Sequence, residues 1–471
     1  MTFNPGEISK TFDSDWSDDD VFEPDAEIVA SLSNPTNATI LDGTGYLTII
    51  DDDSPDPVLE LTDLDGENGF QLNGIDFNGA AGFSVSDAGD FNNDGYDDFL
   101  IGAIGGVDEP SDVGKTFLIF GGANVDGGDG AFELASLQAA DGSTGFQING
   151  INRGDESGRS VSNAGDINND GFDDLIIGAS YADTNGDRSG ESYVIYGGVG
   201  VDGGDGSFEL SSLASGDGSA GFQINGVDET DFSGGSVSNV GDVNSDGFDD
   251  FIIGARFADS NGVASGESYL IYGGVGIDGG DGSFELSSLA SGDGSTGFRI
   301  NGVDDNDRSG VSVSGAGDVN GDGYDDFIIG ARLGDSNAGD SGESYIVYGG
   351  SDIDGGDGTF ELSSLASGDG SAGFQLDGID LNDYSGFSVS SAGDINRDGY
   401  SDIIIAASYA DANGDSSGEV YVVYGGQNVD GGDGVFELSS LASGGGTGFQ
   451  LNGINAGDGS GRSVSGAGDV N

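Results

Sequence analysis

The sequence predicts an all-β protein whose four-stranded sheets repeat around an axis as the blades of a β-propeller. Three observations lead there. Self-similar segments return every 76 residues. Each repeat holds four short stretches of strand character separated by Gly and Ser clusters. No stretch of useful length carries a helical apolar period.

The period is read from "GDFNNDGYDD", "GDINNDGFDD", "GDVNSDGFDD", "GDVNGDGYDD" and "GDINRDGYSD", whose first aspartates are Asp90, Asp166, Asp242, Asp318 and Asp394. A sixth start, Asp469, follows after 75 residues. Two successive copies of "DGGDGSFELSSLASGDGS" are nearly identical, which points to recent duplication. Within one repeat, "GFSVSDAG" alternates and leads into an acidic loop. "DFLIGA" is a continuous apolar run, as a strand covered on both faces requires. "KTFLIFGG", or "ESYVIYGG" in later copies, is a third strand, and "GFQINGI" a fourth. A single such sheet cannot bury both faces, so neighbouring sheets must stack. Gly102 and Ala103 are expected where strands crowd near the axis. A parallel β-helix is the competing architecture, but its usual period is nearer ~20 residues per coil.

Composition narrows the function. The chain has 471 residues, 94 of them Gly, with 86 acidic against 11 basic residues and a net charge of −75. Without Cys there is no disulfide framework or thiolate nucleophile, and without His as well neither a zinc site nor a Ser–His–Asp triad is expected. So acidic a chain does not suit nucleic acid or anionic lipid. Yet 35% of residues are hydrophobic, with 27 Phe and 15 Tyr, enough for a core when the pattern is regular. No apolar run is long enough for a membrane-spanning helix, and no secretion signal follows Met1.

The acidic loop carries the chemistry. In the first copy, Asp90, Asn92, Asp94 and Asp98 place side-chain oxygens at positions 1, 3, 5 and 9. Gly95 at position 6 permits a sharp turn, after which the carbonyl of Tyr96 at position 7 can face inward. Hard oxygen donors in a flexible ring suit Ca²⁺ better than Mg²⁺. The same set recurs as Asp166, Asn168, Asp170, Phe172 and Asp174, then as Asp242, Asn244, Asp246, Phe248 and Asp250. It recurs again as Asp318, Asn320, Asp322, Tyr324 and Asp326, and as Asp394, Asn396, Asp398, Tyr400 and Asp402. Position 8 is Ser401 in the last copy and Asp elsewhere, so it is not expected to be a ligand. Solvated acidic turns are the plain alternative, but they do not require oxygen side chains at four fixed offsets five times over. The expected cofactor is therefore about one structural Ca²⁺ per complete repeat.

Weaker candidates are the "DGGDG" segments, such as Asp202 and Asp205, which read as glycine turns. The segment with Asp183, Asn185, Asp187 and Glu191 does not keep its acidic residues between copies, its first-repeat counterpart having Lys115 in place of Glu191. Every carboxylate cluster is repeated, whereas a catalytic pair for glycoside hydrolysis is unique, so no enzyme activity is expected.

The stretch "SGRSVSNAGDINNDGFDDLIIGA" followed by "GESYVIYGG" resembles the FG-GAP repeat of integrin-alpha-type β-propellers, over residues from about 69 to 471. The resemblance implies one repeat per blade, with calcium in the loop between first and second strands. The family's Phe-Gly is replaced here by Ser157-Gly158 or Ala81-Gly82, which weakens transfer of integrin ligand binding. "TFNPGEISKTF", "DDDVFEPDAEIVASLSNPTNATI" and "GYLTIIDDD" resemble the later strands of a Calx-beta domain, an immunoglobulin-like β-sandwich. That resemblance implies Asp19, Asp20, Glu23 and Asp51 to Asp53 as further calcium ligands.

The expected organisation is a partial sandwich over 1–55, a linker over 56–68 and a propeller over 69–471. Blades fall at about 83–150, 159–226, 235–302, 311–378 and 387–453, with a partial one at 462–471. Both ends look cut, so the chain reads as a fragment of a larger protein, an open arc with exposed sheet edges. The expected function is a calcium-binding extracellular or cell-surface protein for adhesion or recognition, with an unidentified protein or glycan partner. A non-catalytic module of a secreted hydrolase and a surface-layer spacer are the alternatives.

Overall fold

A run such as "LIIGA" has no polar residue to turn toward water, and the second strand of each repeat is buried along nearly its whole length. In the computed structural model, strands 26–31 and 44–49 are described, with the chain from residue 61 onward. Within that span 62–63, 65–68, 76–78, 106–112, 124, 126, 128–129, 140, 215, 281, 357, 444–445 and 469–471 are excepted. Two units are distinguished, Met1–Phe70 and Gln71–Asn471. In the first, β1 (Ala26–Ser31) and β2 (Thr44–Ile49) pair antiparallel. The candidate ligands Asp19, Asp20, Glu23 and Asp51 to Asp53 lie outside the described residues, and one strand pair does not show a sandwich.

The second unit opens with β3 (Gln71–Asn73). The first complete repeat supplies β4 (Ala81–Gly89), β5 (Asp98–Ala103), β6 (Lys115–Ile119), β7 (Ala131–Glu133) and β8 (Gly145–Asn149). The second supplies β9 (Ser160–Gly165), β10 (Asp174–Ala179), β11 (Glu191–Ile195), β12 (Ser207–Glu209) and β13 (Gly221–Asn225). Strands β4-β5-β6-β8 and β9-β10-β11-β13 form antiparallel sheets, and the later repeats copy them. Antiparallel pairing within each repeat excludes the β-helix.

The expected four strands per sheet need one correction. The short "SFE" segment after each "DGGDG" turn is a strand, and it leaves its own repeat. β12 pairs parallel with β8 of the preceding sheet, and Ser283–Glu285 pairs in the same way with β13. Four of the repeat sheets are thus five-stranded, the fifth strand being a strap from the next repeat. Three residues are too few to show an alternating pattern, so the sequence reads as a turn there. Short helices follow, as 3-10 turns over Leu134–Ala139 and Leu286–Ser291 and one α-turn over Ser363–Ala366. Their Leu pairs at i and i+3, such as Leu286 and Leu289, are buried.

Burial occurs between sheets. One core cluster joins Leu100, Leu118 and Phe146 of the first repeat to Leu175, Ile177 and Tyr193 of the second. Three further clusters bridge the successive pairs. At the inner edge, the Val237 N–H donates to Ser160 Oγ of the preceding first strand at 3.0 Å. Val313 and Val389 do the same to Ser236 and Ser312. Val85, Ser162, Asn239 and Ser390, from four first strands, line one central cavity of about 700 Å³. First strands gathered about a shared cavity, with cores between sheets, are the arrangement of propeller blades.

The glycine of each "IGA" serves a different contact from the axial crowding expected. A Cβ on Gly178 would stand 2.0 Å from the Gly234 carbonyl of the next repeat. The crowding partner is thus the adjacent blade, at the end of the sheet away from the acidic loop.

Candidate metal centre

Each acidic loop is wound around its first carboxylate. In the second repeat, Asp166 Oδ1 accepts the Asp170 N–H at 3.0 Å and Oδ2 accepts the Gly171 N–H at 2.9 Å. Asp170 Oδ1 accepts the Phe172 N–H at 3.1 Å. The turn requires a left-handed residue at position 4, and Asn93, Asn169, Ser245 and Arg397 have φ between 56° and 62°. Gly95, Gly171, Gly247, Gly323 and Gly399 follow with φ of 90–93°. The first, third, fourth and fifth repeats show the same bonds from Asp90, Asp242, Asp318 and Asp394 to the N–H at position 5. Asn92, Asn244, Asn320 and Asn396 accept that N–H as well. Asp94, Asp246, Asp322 and Asp398 take the N–H of Tyr96, Phe248, Tyr324 and Tyr400.

Position 9 is different because it is inside. Asp98, Asp174, Asp250, Asp326 and Asp402 begin the second strands and are buried. Asp174 Oδ1 accepts the Gly197 N–H at 2.8 Å, tying the loop to the end of β11, and Oδ2 accepts the Ile167 N–H at 3.1 Å. Burial raises this carboxyl to about 8, helped by the charges of Asp170 and Asp166. Asp250 is raised to about 8, Asp98 and Asp326 to about 7, and Asp402 in the same direction, burial being the main cause throughout.

Positions 1, 5 and 9 are therefore electrostatic neighbours. Among the described residues, however, no three carboxylates are drawn together as ligands of one ion. The oxygens at positions 1 and 5 are turned onto backbone N–H groups instead. Two ligand-position oxygens, Asp98 Oδ2 and Asn168 Oδ1, are buried with no hydrogen-bond partner. A buried oxygen without a donor, beside a raised carboxyl and two more carboxylates, fits a hard divalent cation.

The weaker candidates resolve differently. Asp202 Oδ2 accepts the Gly206 N–H at 2.8 Å, and Asp278 and Asp430 repeat the bond to Gly282 and Gly434. This is the closure of a glycine turn. In the other segment, Asp183 Oδ1 accepts the Arg188 N–H at 2.9 Å and Asn185 bonds the Gly226 carbonyl at 2.7 Å. Glu191 accepts the Tyr193 hydroxyl, and Tyr269, Tyr345 and Tyr421 reproduce this with Glu267, Glu343 and Glu419.

Sequence reasoning missed position 8. Asp173 Oδ2 accepts the Asp90 N–H of the preceding loop at 2.7 Å, Asp249 accepts that of Asp166 at 2.8 Å, and Asp325 that of Asp242 at 3.1 Å. Two further bonds accompany it: the Gly198 N–H donates to the Phe91 carbonyl at 2.9 Å, and Asn93 Nδ2 to the Gly171 carbonyl at 2.9 Å. Each of the first four loops is thus a joint between neighbouring blades. The carboxylate fits because Gly165 faces it: a Cβ there would stand 2.2 Å from Asp249 Oδ2. The available signal was the recurring Ala-Gly-Asp or Val-Gly-Asp, whose glycine has φ of 72° at Gly165 and Gly241. Asp249→Ala is expected to destabilise the chain by about 1–3 kcal/mol, the cost of losing a charge-assisted bond. Urea melts in calcium check this, and an unchanged midpoint would remove the joint from the account.

Residues 157–195, 233–271, 309–347 and 385–423 match the FG-GAP repeat. The chain carries FG-GAP repeats. Each matched stretch runs from the Ser-Gly at or just before the start of a first strand to the end of the third strand, so it contains one whole acidic loop. Integrin alpha-6 of Gallus gallus is 30% identical over 111 residues, covering 24% of this chain and 9% of that protein. Integrin alpha-5 of Xenopus laevis is 28% identical over 257 residues, covering 53% of this chain and 20% of that protein. The FG-GAP chain is thus a distant homologue of integrin alpha chains and matches a fifth or less of their length.

Proposed function

We propose that this FG-GAP chain is a calcium-binding, non-catalytic repeat protein of the cell surface or extracellular space that acts in adhesion or recognition. Each loop holds one Ca²⁺, with side-chain oxygens from positions 1, 3, 5 and 9 and the carbonyl of position 7 as donors. The observation that carries this reading is the buried ligand-position oxygen without a hydrogen-bond partner, Asp98 Oδ2 in one loop and Asn168 Oδ1 in the next, beside the carboxylates of the same loop. Such a group is costly without a cation and favourable with one. Because the loops are blade joints, ordering them orders the stack. The distant integrin alpha relationship supports a place outside the cell, where calcium is abundant enough for low-affinity loops to fill. Among the described residues no helix is long and apolar enough to cross a membrane.

Calorimetric titration of the chelator-treated chain with calcium tests the reading. About one site per complete repeat is expected, and Asp174→Asn with Asp250→Asn is expected to remove two. Absence of binding, or an unchanged stoichiometry in the double variant, overturns it.

A further inference from the structure

The acidic loops sit where the first strands end and the second strands begin. The opposite end of the same sheets is built from other chemistry. Of the chain's nine arginines, six are found there: Arg159, Arg188, Arg256, Arg308, Arg332 and Arg462. Their guanidinium carbons lie 4.8–5.8 Å from aromatic ring centroids. The contacts pass from repeat to repeat. Arg188 faces both Tyr181 and Phe232, Arg256 faces Phe232 and Phe257, and Arg308 faces Phe257. Arg332 and Arg462 then share Phe387.

In a chain with 86 acidic residues, these cations are under-neutralised. Among the described residues, Arg159 pairs with Glu156 at 2.5 Å, whereas the other five make no salt bridge. Arg308 Nε and Arg332 Nε are buried with no acceptor. Burial, with Arg159, Arg332 and Arg308 nearby, brings Arg256 down to about 10. Like charges held together without counter-charges are an electrostatic cost unless an anion completes the site.

The differences between repeats point to the same face. From Arg159 to Gly197 and from Gly235 to Gly273 the second and third repeats are nearly identical. The substitutions that alter charge are Arg159 to Gly235, Ser180 to Arg256, Asp187 to Val263 and Arg188 to Ala264. All four lie before the first strand or between the second and third strands, at the arginine end. The acidic loop differs only at Ile167/Val243 and Asn169/Ser245. Stacking constrains the sheets and oxygen spacing constrains the loops, so free variation in charge is concentrated on the surface that meets something else.

A cleft of about 380 Å³ interrupts this face, lined by Arg308, Arg332, Leu333, Asp340, Tyr384 and Tyr409. Tyr384 and Tyr409 meet edge to face at 5.0 Å, and Tyr409 is 41% exposed. Two guanidinium forks can clamp a carboxylate. The tyrosine rings offer an apolar surface to a ring face. Asp340 accepts hydroxyl donors.

We propose that the arginine–aromatic face, centred on this cleft, binds an acidic polysaccharide through its uronate units. A uronate brings a carboxylate, an apolar ring face and hydroxyl donors on one ring, and each has a counterpart in the cleft. A glutamate or aspartate side chain brings the carboxylate without the apolar ring face or the hydroxyl donors. At physiological salt, screening acts over about 8 Å, so the acidic remainder of the surface does not cancel this local field. The inference rests on reading the chain as a recognition module and names its partner class.

The test uses the full chain in calcium, titrated with a hyaluronan octasaccharide as a glucuronate-bearing probe. Binding is expected. Arg308→Ala with Arg332→Ala is expected to weaken it at least tenfold, and so is carboxyl reduction of the probe. Tyr409→Ala, at an exposed ring, is expected to weaken it several-fold and serves where the double variant does not fold. Three results overturn the proposal: no binding by the unaltered chain, equal affinity for the reduced probe, or unchanged affinity in the variants. Poly-glutamate binding as tightly as the sugar also overturns it and assigns the face to acidic protein. Calcium titration of the same samples separates the two readings. Calcium binding without sugar binding rejects the glycan face alone, while absent calcium binding rejects the loop assignment.

Discussion

Stripping calcium from this protein is expected to lower its thermal midpoint steeply, and restoring it to recover the lost stability. Extracellular calcium modules bind with dissociation constants of roughly 10⁻⁴–10⁻³ M, so at ~10 mM calcium each filled loop adds about 1.4–2.7 kcal/mol. Five independent loops together add about 7–14 kcal/mol, as much as the whole stability of many domains. The structure supplies the route. The first three loops are bonded to the next repeat through position 8 and the first four through the glycine after the third strand, as Asp173 to the Asp90 N–H and Gly198 to the Phe91 carbonyl. Loosening one loop therefore loosens a seam. Scanning calorimetry in chelator and in calcium checks this, and coincident midpoints would reject calcium as the staple.

In chelator, stability is expected to fall as pH rises from about 5 to about 8. Carboxyls outside the acidic loops contribute to this dependence. Burial raises Glu191, Asp231 and Asp307 to about 7, and Asp377 and Asp383 to about 6. The unfolded chain releases these protons near pH 4, at ordinary carboxyl values. Between the two values the folded state holds more protons than the unfolded one, so raising pH favours unfolding. Below about pH 4 both states are protonated and the penalty is absent; above about pH 7 both are ionised and it is fully present. For five such groups the undiscounted total is roughly 18 kcal/mol, which solvent screening reduces to on the order of 5–10 kcal/mol. The net charge of −75 adds self-repulsion in the same direction. Melts across this range test it, and a midpoint that stays level or climbs toward pH 8 would contradict the burial of these groups.

The substitution at the third strand shows how side chains answer one another inside a repeat. Where later repeats have Glu191 and Tyr193, the first has Lys115 and Phe117. A buried hydroxyl needs a partner and a phenyl ring does not, so the two positions change together. Both facts can be read from aligned copies within one chain. The use of position 8 cannot. Asp173 is adjacent in sequence to the position-9 carboxyl, yet its partner is 83 residues away.

Periodicity, strand runs and oxygen spacing are properties of short stretches, and they suffice for the 76-residue repeat, the four main strands and the oxygen donor set. The strap strand, the glycine against the neighbouring carboxylate and the ladder of arginines arise only when one repeat meets the next. Phe257 and Arg308 contribute to one stack because adjacent sheets bring them within 4.8 Å. Composition shows that arginine is scarce; only the stacking of the blades decides that most of it lies on one face. The physical reason is that local pattern sets what each segment can bury, while the packing of one sheet on another sets which groups are left facing each other.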